Sequence, residues 1–162
     1  MLIQKLKVSL SLSAIAIVLL IGTSWFVGLI AFGLKPLQTP LGATFTDQVA
    51  LQRILIIGIY LALVLFSVAG LAFYLSVSTD VPLGAVGGAI GIIILSNILD
   101  AISGLGSIRN WLPTHYSFSW FDALSSSIDW SQMIRGAAYS VILSALFVSL
   151  AIIKFNKKDI TS

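Results

Sequence analysis

Residues 54–79 read ILIIGIYLALVLFSVAGLAFYLSVST, a run of 26 residues without a charge. A helix crosses the hydrocarbon core of a bilayer with about 20 apolar residues, at about 1.5 Å each. This run alone is therefore long enough to span. Directly after it, Ser78-Thr79-Asp80-Val81-Pro82 makes a very tight turn into a second charge-free run, Val81–Leu99. Working outward, Val8–Leu34 and Gly136–Ile153 are two more. Backbone groups in lipid must bond within their own segment, so helices are the expected form. A barrel needs segments of about 10 residues that alternate in polarity, and these runs do not alternate. The expected fold class is an all-α membrane protein. One transmembrane domain, 1–162, carries spans at 8–34, 54–79, 81–103 and 133–154. Short interfacial or re-entrant helices are expected in an outer aromatic segment, 104–132, before the last span.

Composition leads to the same class. Apolar residues are 58% of the 162 and charged residues 9%, and the mean hydropathy is +1.06. A soluble domain carries about 25% charged residues. So few charges exclude a soluble enzyme, a disordered tail and a nucleic-acid-binding domain. There is no cysteine and one histidine, His115. Disulfides, thiolate metal sites and zinc sites built from several histidines are excluded with them. The N-terminal run also has a signal-peptide reading, with Lys5 and Lys7 as the charged region and Ala14-Ile15-Ala16 as small residues. An apolar signal region is about 7–15 residues long, and Val8–Leu34 is far longer, so the anchor reading is preferred.

Lysine and arginine placement sets the expected orientation. With four spans both termini lie on one side, which holds Lys5, Lys7, Lys154, Lys157 and Lys158. The other side holds Lys35, Arg53, Arg109 and Arg135, spread over longer loops. Cytoplasmic termini are expected, and the net charge of +3 reflects this sidedness rather than an anionic ligand. Asp80 is then a cap for the third helix and Pro82 suits its first turn. In the first outer loop, Pro36, Pro40 and Gly42 predict an irregular first half, with the second helix beginning at Thr46 or Asp47.

The second outer segment carries Trp111, Tyr116, Phe118, Trp120, Phe121 and Trp130, residues that favour the membrane–water interface. Gly104, Gly106 and Pro113 break any continuous helix there. The segment reads as one or two short helices in the outer leaflet, either an anchor or an external gate. In the third span, Gly84 with Gly88 and Gly87 with Gly91 are small-residue pairs that let helices approach closely. Ser96, Asn97 and Asp100 follow on the same helix. Polar groups within a span are functional candidates, and here they are candidates for a pathway lining or for packing, with Asp100 at the interface. His115 has Asp122 and Asp100 as conceivable partners for an intramembrane enzyme. No nucleophile elbow, phosphate-binding loop, HExxH motif or glutamate is present. No catalytic, cofactor or metal site is expected in this chain. The basic tail Lys154–Ile160 reads as a lipid-headgroup contact.

Four pieces in order carry a family resemblance. They are the turn Leu75-Ser76-Val77-Ser78-Thr79-Asp80-Val81-Pro82, the span end Ile94-Leu95-Ser96-Asn97-Ile98-Leu99-Asp100, the stretch Trp111-Leu112-Pro113-Thr114-His115-Tyr116 with Trp120, and the closing Phe155-Asn156-Lys157-Lys158-Asp159-Ile160. Together they resemble the permease subunit of bacterial ABC-2 type exporters. The four spans correspond to the last four of that family. Its first two spans and cytoplasmic coupling helix have no counterpart here, so the resemblance implies the C-terminal part of such a permease. It also implies a plasma-membrane, multi-pass protein that works with a second permease copy and an ABC ATPase subunit, which supplies the ATP and Mg²⁺ chemistry. The outer segment is then an external gate, with Trp111, Pro113, His115, Tyr116, Trp120 and Phe121 as gate residues. A cargo is not specified, although the absence of a charge cluster favours an amphipathic or lipid-like one. The alternative is a small non-transport membrane protein such as an immunity or assembly factor.

Overall fold

The structure is a computed structural model that describes residues 2–33 and 36–159. Leu34, Lys35 and Ile160, which the sequence reading placed at the first span's end, in the first loop and in the closing motif, lie outside the described residues. Four long helices make up the fold: α1 (Leu2–Phe32), α2 (Asp47–Ser78), α3 (Pro82–Asp100) and α4 (Trp130–Asp159). All four are long and apolar enough to cross a membrane, and the protein is an all-α membrane protein.

The helices outrun their charge-free runs. A charge ends an apolar run without ending a helix, because the i→i−4 bonding continues through it. Thus α2 starts at Asp47 behind the cap position Thr46, and Arg53 lies inside it. At about 1.5 Å per residue its 32 residues extend about 48 Å, well beyond a hydrocarbon core of about 30 Å. The last helix begins at Trp130, three residues before the expected 133. Asp129 accounts for this: its Oδ1 accepts from the Ser131 backbone N–H (3.0 Å) and hydroxyl (2.7 Å), an N-terminal cap. Those two bonds, the hydroxyl's first, hold the Asp129 carboxyl below its ordinary range. At the other end, α3 stops at Asp100 rather than 103.

The turn between α2 and α3 is as tight as expected, and Pro82 occupies the first helical turn. The cap position is Val81, which makes no side-chain cap bond. Asp80 is thus one residue outside the position predicted for it. Thr79 closes α2 instead, with both its N–H (2.9 Å) and its hydroxyl (3.1 Å) donating to the Leu75 carbonyl. The loop after α1 is also more ordered than its prolines suggested. Leu37–Gln38 (β1) and Thr44–Phe45 (β2) form a two-residue antiparallel ladder. Gly42, at φ 79°, makes the reversal, and the Thr39 hydroxyl accepts from the Ala43 N–H at 3.1 Å.

The hub is α2. Its broadest contact is with α4, and α3 and α1 also pack on it. Each interface contains a glycine set close against the neighbouring helix. A Cβ on Gly58 would strike the Ile21 side chain of α1, one on Gly70 would lie 3.4 Å from the Ser144 carbonyl of α4, and one on Gly88 3.3 Å from Leu75 of α2. Most side chains point outward: Ile30 is 70% and Leu83 81% exposed. Such a surface is covered at low cost by lipid or by other apolar surface, not by water. The compact core lies at one end, where Tyr60 of α2, Met133 of α4 and Ala123 are buried together. Ala123 belongs to the aromatic segment, which therefore forms a packed part of the bundle.

Candidate functional site

The aromatic segment joins α3 to α4 through two 3₁₀ stretches, Ser103–Trp111 and Ser119–Leu124. Gly106 breaks the first with φ 51°, a conformation only glycine adopts cheaply. Consecutive tight turns from Leu112 to Phe118 bring the chain back over the bundle: the His115 N–H donates to Leu112 O (3.1 Å) and that of Ser117 to Thr114 O (2.9 Å).

These turns set two consecutive residues, Thr114 and His115, against two residues one helical turn apart on α3. Positions i and i+4 share a helix face, and here they are Ser96 and Asp100. The Ser96 and Thr114 hydroxyls are hydrogen-bonded at 2.8 Å, and both residues are buried. Asp100 Oδ1 takes two partners, His115 Nδ1 at 2.6 Å and Arg109 Nε at 3.3 Å. A carboxylate only accepts, so the contact places a proton on His115 Nδ1. The three side chains are about a quarter to a third exposed, at 23% for Asp100, 22% for His115 and 32% for Arg109. They are screened less than a surface pair.

Two more bonds tie the segment to the other helices. The Tyr60 hydroxyl of α2 donates to Tyr116 O at 2.5 Å, and the Tyr139 hydroxyl of α4 donates to Trp111 O. The Tyr116 ring meets the rings of His115 and Tyr139 edge-on, with centroids 4.7 and 5.7 Å away. The segment is thus pinned to α2, α3 and α4 at once, by contacts that break singly without breaking a helix.

The sequence-predicted residues divide between inside and outside. Ser96 and Asp100 join the cluster, whereas Asn97 is exposed and takes no part in it. Of the two carboxylates considered for His115, the one in contact is Asp100. Asp122 is half-buried elsewhere, its carbonyl accepting from the Ser125 hydroxyl at 2.6 Å. Among the gate candidates, Pro113, His115, Tyr116 and Trp120 are half-buried, while Trp111 (79%) and Phe121 (42%) are exposed. Phe121 stacks on Trp120 at 4.1 Å. Of the paired glycines only Gly88 meets a side chain of another helix; Gly84 approaches Val81 of its own turn, and Gly87 and Gly91 have open space around them.

Arg109, Thr114, Tyr60, Tyr139 and Gly136 were not singled out from the sequence. Tyr60 and Tyr139 carried a usable signal, since a phenol within a span needs a partner. Among the described residues no group of three or more histidines or acids could hold a metal. The His115–Asp100 contact is the orienting half of an acid–base dyad. The same contact, with Arg109 on the shared oxygen, tethers the segment to α3.

The buried hydroxyl pair gives a clean expectation. Replacing Ser96 by alanine leaves the Thr114 hydroxyl buried without a partner, at a cost of about 1–2 kcal/mol. Ser96→Ala with Thr114→Val removes both polar groups and should cost less than Ser96→Ala alone. Thermal unfolding in detergent measures the order of the two variants.

No family model, no curated protein and no solved structure matches the chain.

Proposed function

We propose that this chain is a membrane-spanning permease subunit, or its C-terminal part, of an ATP-driven exporter of the ABC-2 type, with the aromatic segment as its external gate. The observation that carries the reading is the segment's attachment. A broken, partly buried stretch closes one end of the bundle and is held to three different helices by a few polar contacts. Such a plug excludes water with apolar bulk, and it releases when the helices shift relative to one another. The order of motifs from Leu75 to Lys158 supports the same family. The sequence has no phosphate-binding loop, so ATP and Mg²⁺ belong to a partner ATPase. A second permease copy completes the pathway, and both termini face the cytoplasm of a bacterial cell.

Affinity purification of the tagged chain in mild detergent tests the proposal. Recovery of an ATPase with a phosphate-binding loop, and loss of the chain's cellular effect when that ATPase is deleted, is the expected result. A cellular effect that persists without any ATPase would overturn it and favour an immunity or assembly factor.

A further inference from the structure

Among the described residues, one buried side-chain nitrogen has no hydrogen-bond partner: Arg53 Nη1. Its place in the fold is specific. Arg53 lies in α2 at the end capped by the aromatic segment, and its guanidinium stands over the Phe45 ring, 5.1 Å from the centroid. The other terminal nitrogen, Nη2, makes only a 3.4 Å contact with the Ser126 carbonyl, at the long limit of a hydrogen bond. No carboxylate among the described residues lies within ion-pair distance of it. A cation next to hydrocarbon without an anion is costly, and an incompletely bonded guanidinium there calls for a missing acceptor.

One turn further into the membrane, the cleft between α2 and α4 opens into a groove of about 250 Å³. Ile56, Ile59 and Leu63 form one wall; Trp130, Met133 and Ile134 form the other. Arg53, Ile56, Tyr60 and Leu63 are spaced i, i+3, i+7 and i+10, so the cation heads the same helix stripe that lines the groove. Trp130, half exposed at 51%, stands at the groove's rim, where indoles favour the interface. Ser126, which Nη2 touches, lies in the chain leading into Trp130. Arg135, exposed on α4, acts on the Asp129 carboxylate. The nearby Asp129 carboxylate is already engaged by Ser131.

An apolar groove on the helix stripe that an under-bonded cation heads matches an amphiphile with a chain and an anion. We infer that this cleft is a phospholipid site, in which an acyl chain lies in the α2–α4 groove and the phosphate meets the Arg53 guanidinium, displacing its weak contact with Ser126. The site is independent of the transport reading, because it needs only a bilayer.

The test uses the full chain, delipidated in detergent, with three probes: phosphatidylglycerol, diacylglycerol of the same chains, and inorganic phosphate. Bound lipid is counted by native mass spectrometry, and thermal unfolding is followed alongside. Phosphatidylglycerol should be retained and should raise the melting temperature, while diacylglycerol and inorganic phosphate should do neither. Losing a charge-assisted hydrogen bond should weaken phosphatidylglycerol binding about tenfold or more in Arg53→Gln. Ile134→Trp fills the groove from an exposed position, keeps the arginine and should weaken binding as well. Circular dichroism checks that each variant keeps its helices. If Arg53→Gln does not fold, Ile134→Trp decides the matter alone. Undiminished binding in a folded variant, equal retention of diacylglycerol, or full stabilisation by inorganic phosphate would each overturn the inference.

Discussion

Asp100→Ala should loosen the hold of the aromatic segment on α3, leaving the Ser96–Thr114 bond. The substitution takes away the one oxygen that both His115 and Arg109 use, leaving two donors without an acceptor. A hydrogen bond to a charged group contributes about 1.5–3 kcal/mol, and an exposed ion pair about 0–1. With all three side chains roughly a quarter to a third exposed, a destabilisation of about 2 kcal/mol is expected. It should be local. Hydrogen exchange in 103–118 should accelerate, while the interiors of α2 and α4 stay protected, because the Tyr60 and Tyr139 bonds remain. Asp100→Asn keeps an acceptor and should fall between wild type and alanine. A cycle with His115→Ala measures the coupling, expected at about 1 kcal/mol or more for a direct contact. Unchanged exchange in Asp100→Ala would show that the ion pair does not hold the segment. Under the transport reading, the same variant should leak small dyes from liposomes.

A second substitution should be more damaging. Gly136 of α4 is buried where α2, α4 and the aromatic segment converge. A Cβ there would collide with the Tyr60 hydroxyl and would lie 2.8 Å from Tyr116 Cβ and 3.1 Å from Tyr60 Cζ. Tyr60 cannot retreat without losing its bond to Tyr116 O, and it belongs to the small buried core with Met133 and Ala123. Overpacking costs about 1–3 kcal/mol and the lost hydrogen bond about 1 more. Gly136→Ala should therefore destabilise by about 2–4 kcal/mol, read by thermal unfolding in detergent. Tyr60→Phe removes the atom struck first, so the double variant should lose less than the sum of the single ones. Strict additivity would mean that Gly136 and Tyr60 do not constrain each other. Gly87, with open space around it, is the control: Gly87→Ala should be close to neutral or mildly stabilising.

These two sites differ in how far the sequence announced them. Asp100 drew notice because an ionisable group near the end of an apolar run is costly. Its partner was harder to choose, since His115 has Asp122 closer in sequence and Asp100 farther away. The tight turns from Leu112 to Phe118 decide the pairing by folding His115 back onto α3. Gly136 gave no such sign. The glycines that looked like packing residues were those in paired spacing on α3, of which only Gly88 meets a neighbouring helix. Gly58, Gly70 and Gly136, which have no paired spacing, lie at close approaches to other elements. Spacing tells which residues share a face of one helix. It does not tell which face meets a neighbour.

By itself the sequence determined that the protein lives in lipid, that four helices cross it, and that a broken aromatic stretch separates the last two. Each of these follows from local physics. A charge-free run of sufficient length must satisfy its backbone within itself, and Gly104, Gly106 and Pro113 interrupt a helix wherever they occur. Only the tertiary structure decided that Ser96 and Asp100 grip Thr114 and His115, that Tyr60 and Tyr139 hold the segment from the other two helices, and that Arg53 heads an open cleft. The hydrogen bonds among them join residues from 15 to 56 positions apart. The hydrogen bonds within a helix are indifferent to how it is rotated, so only packing against its neighbours sets which side chains meet.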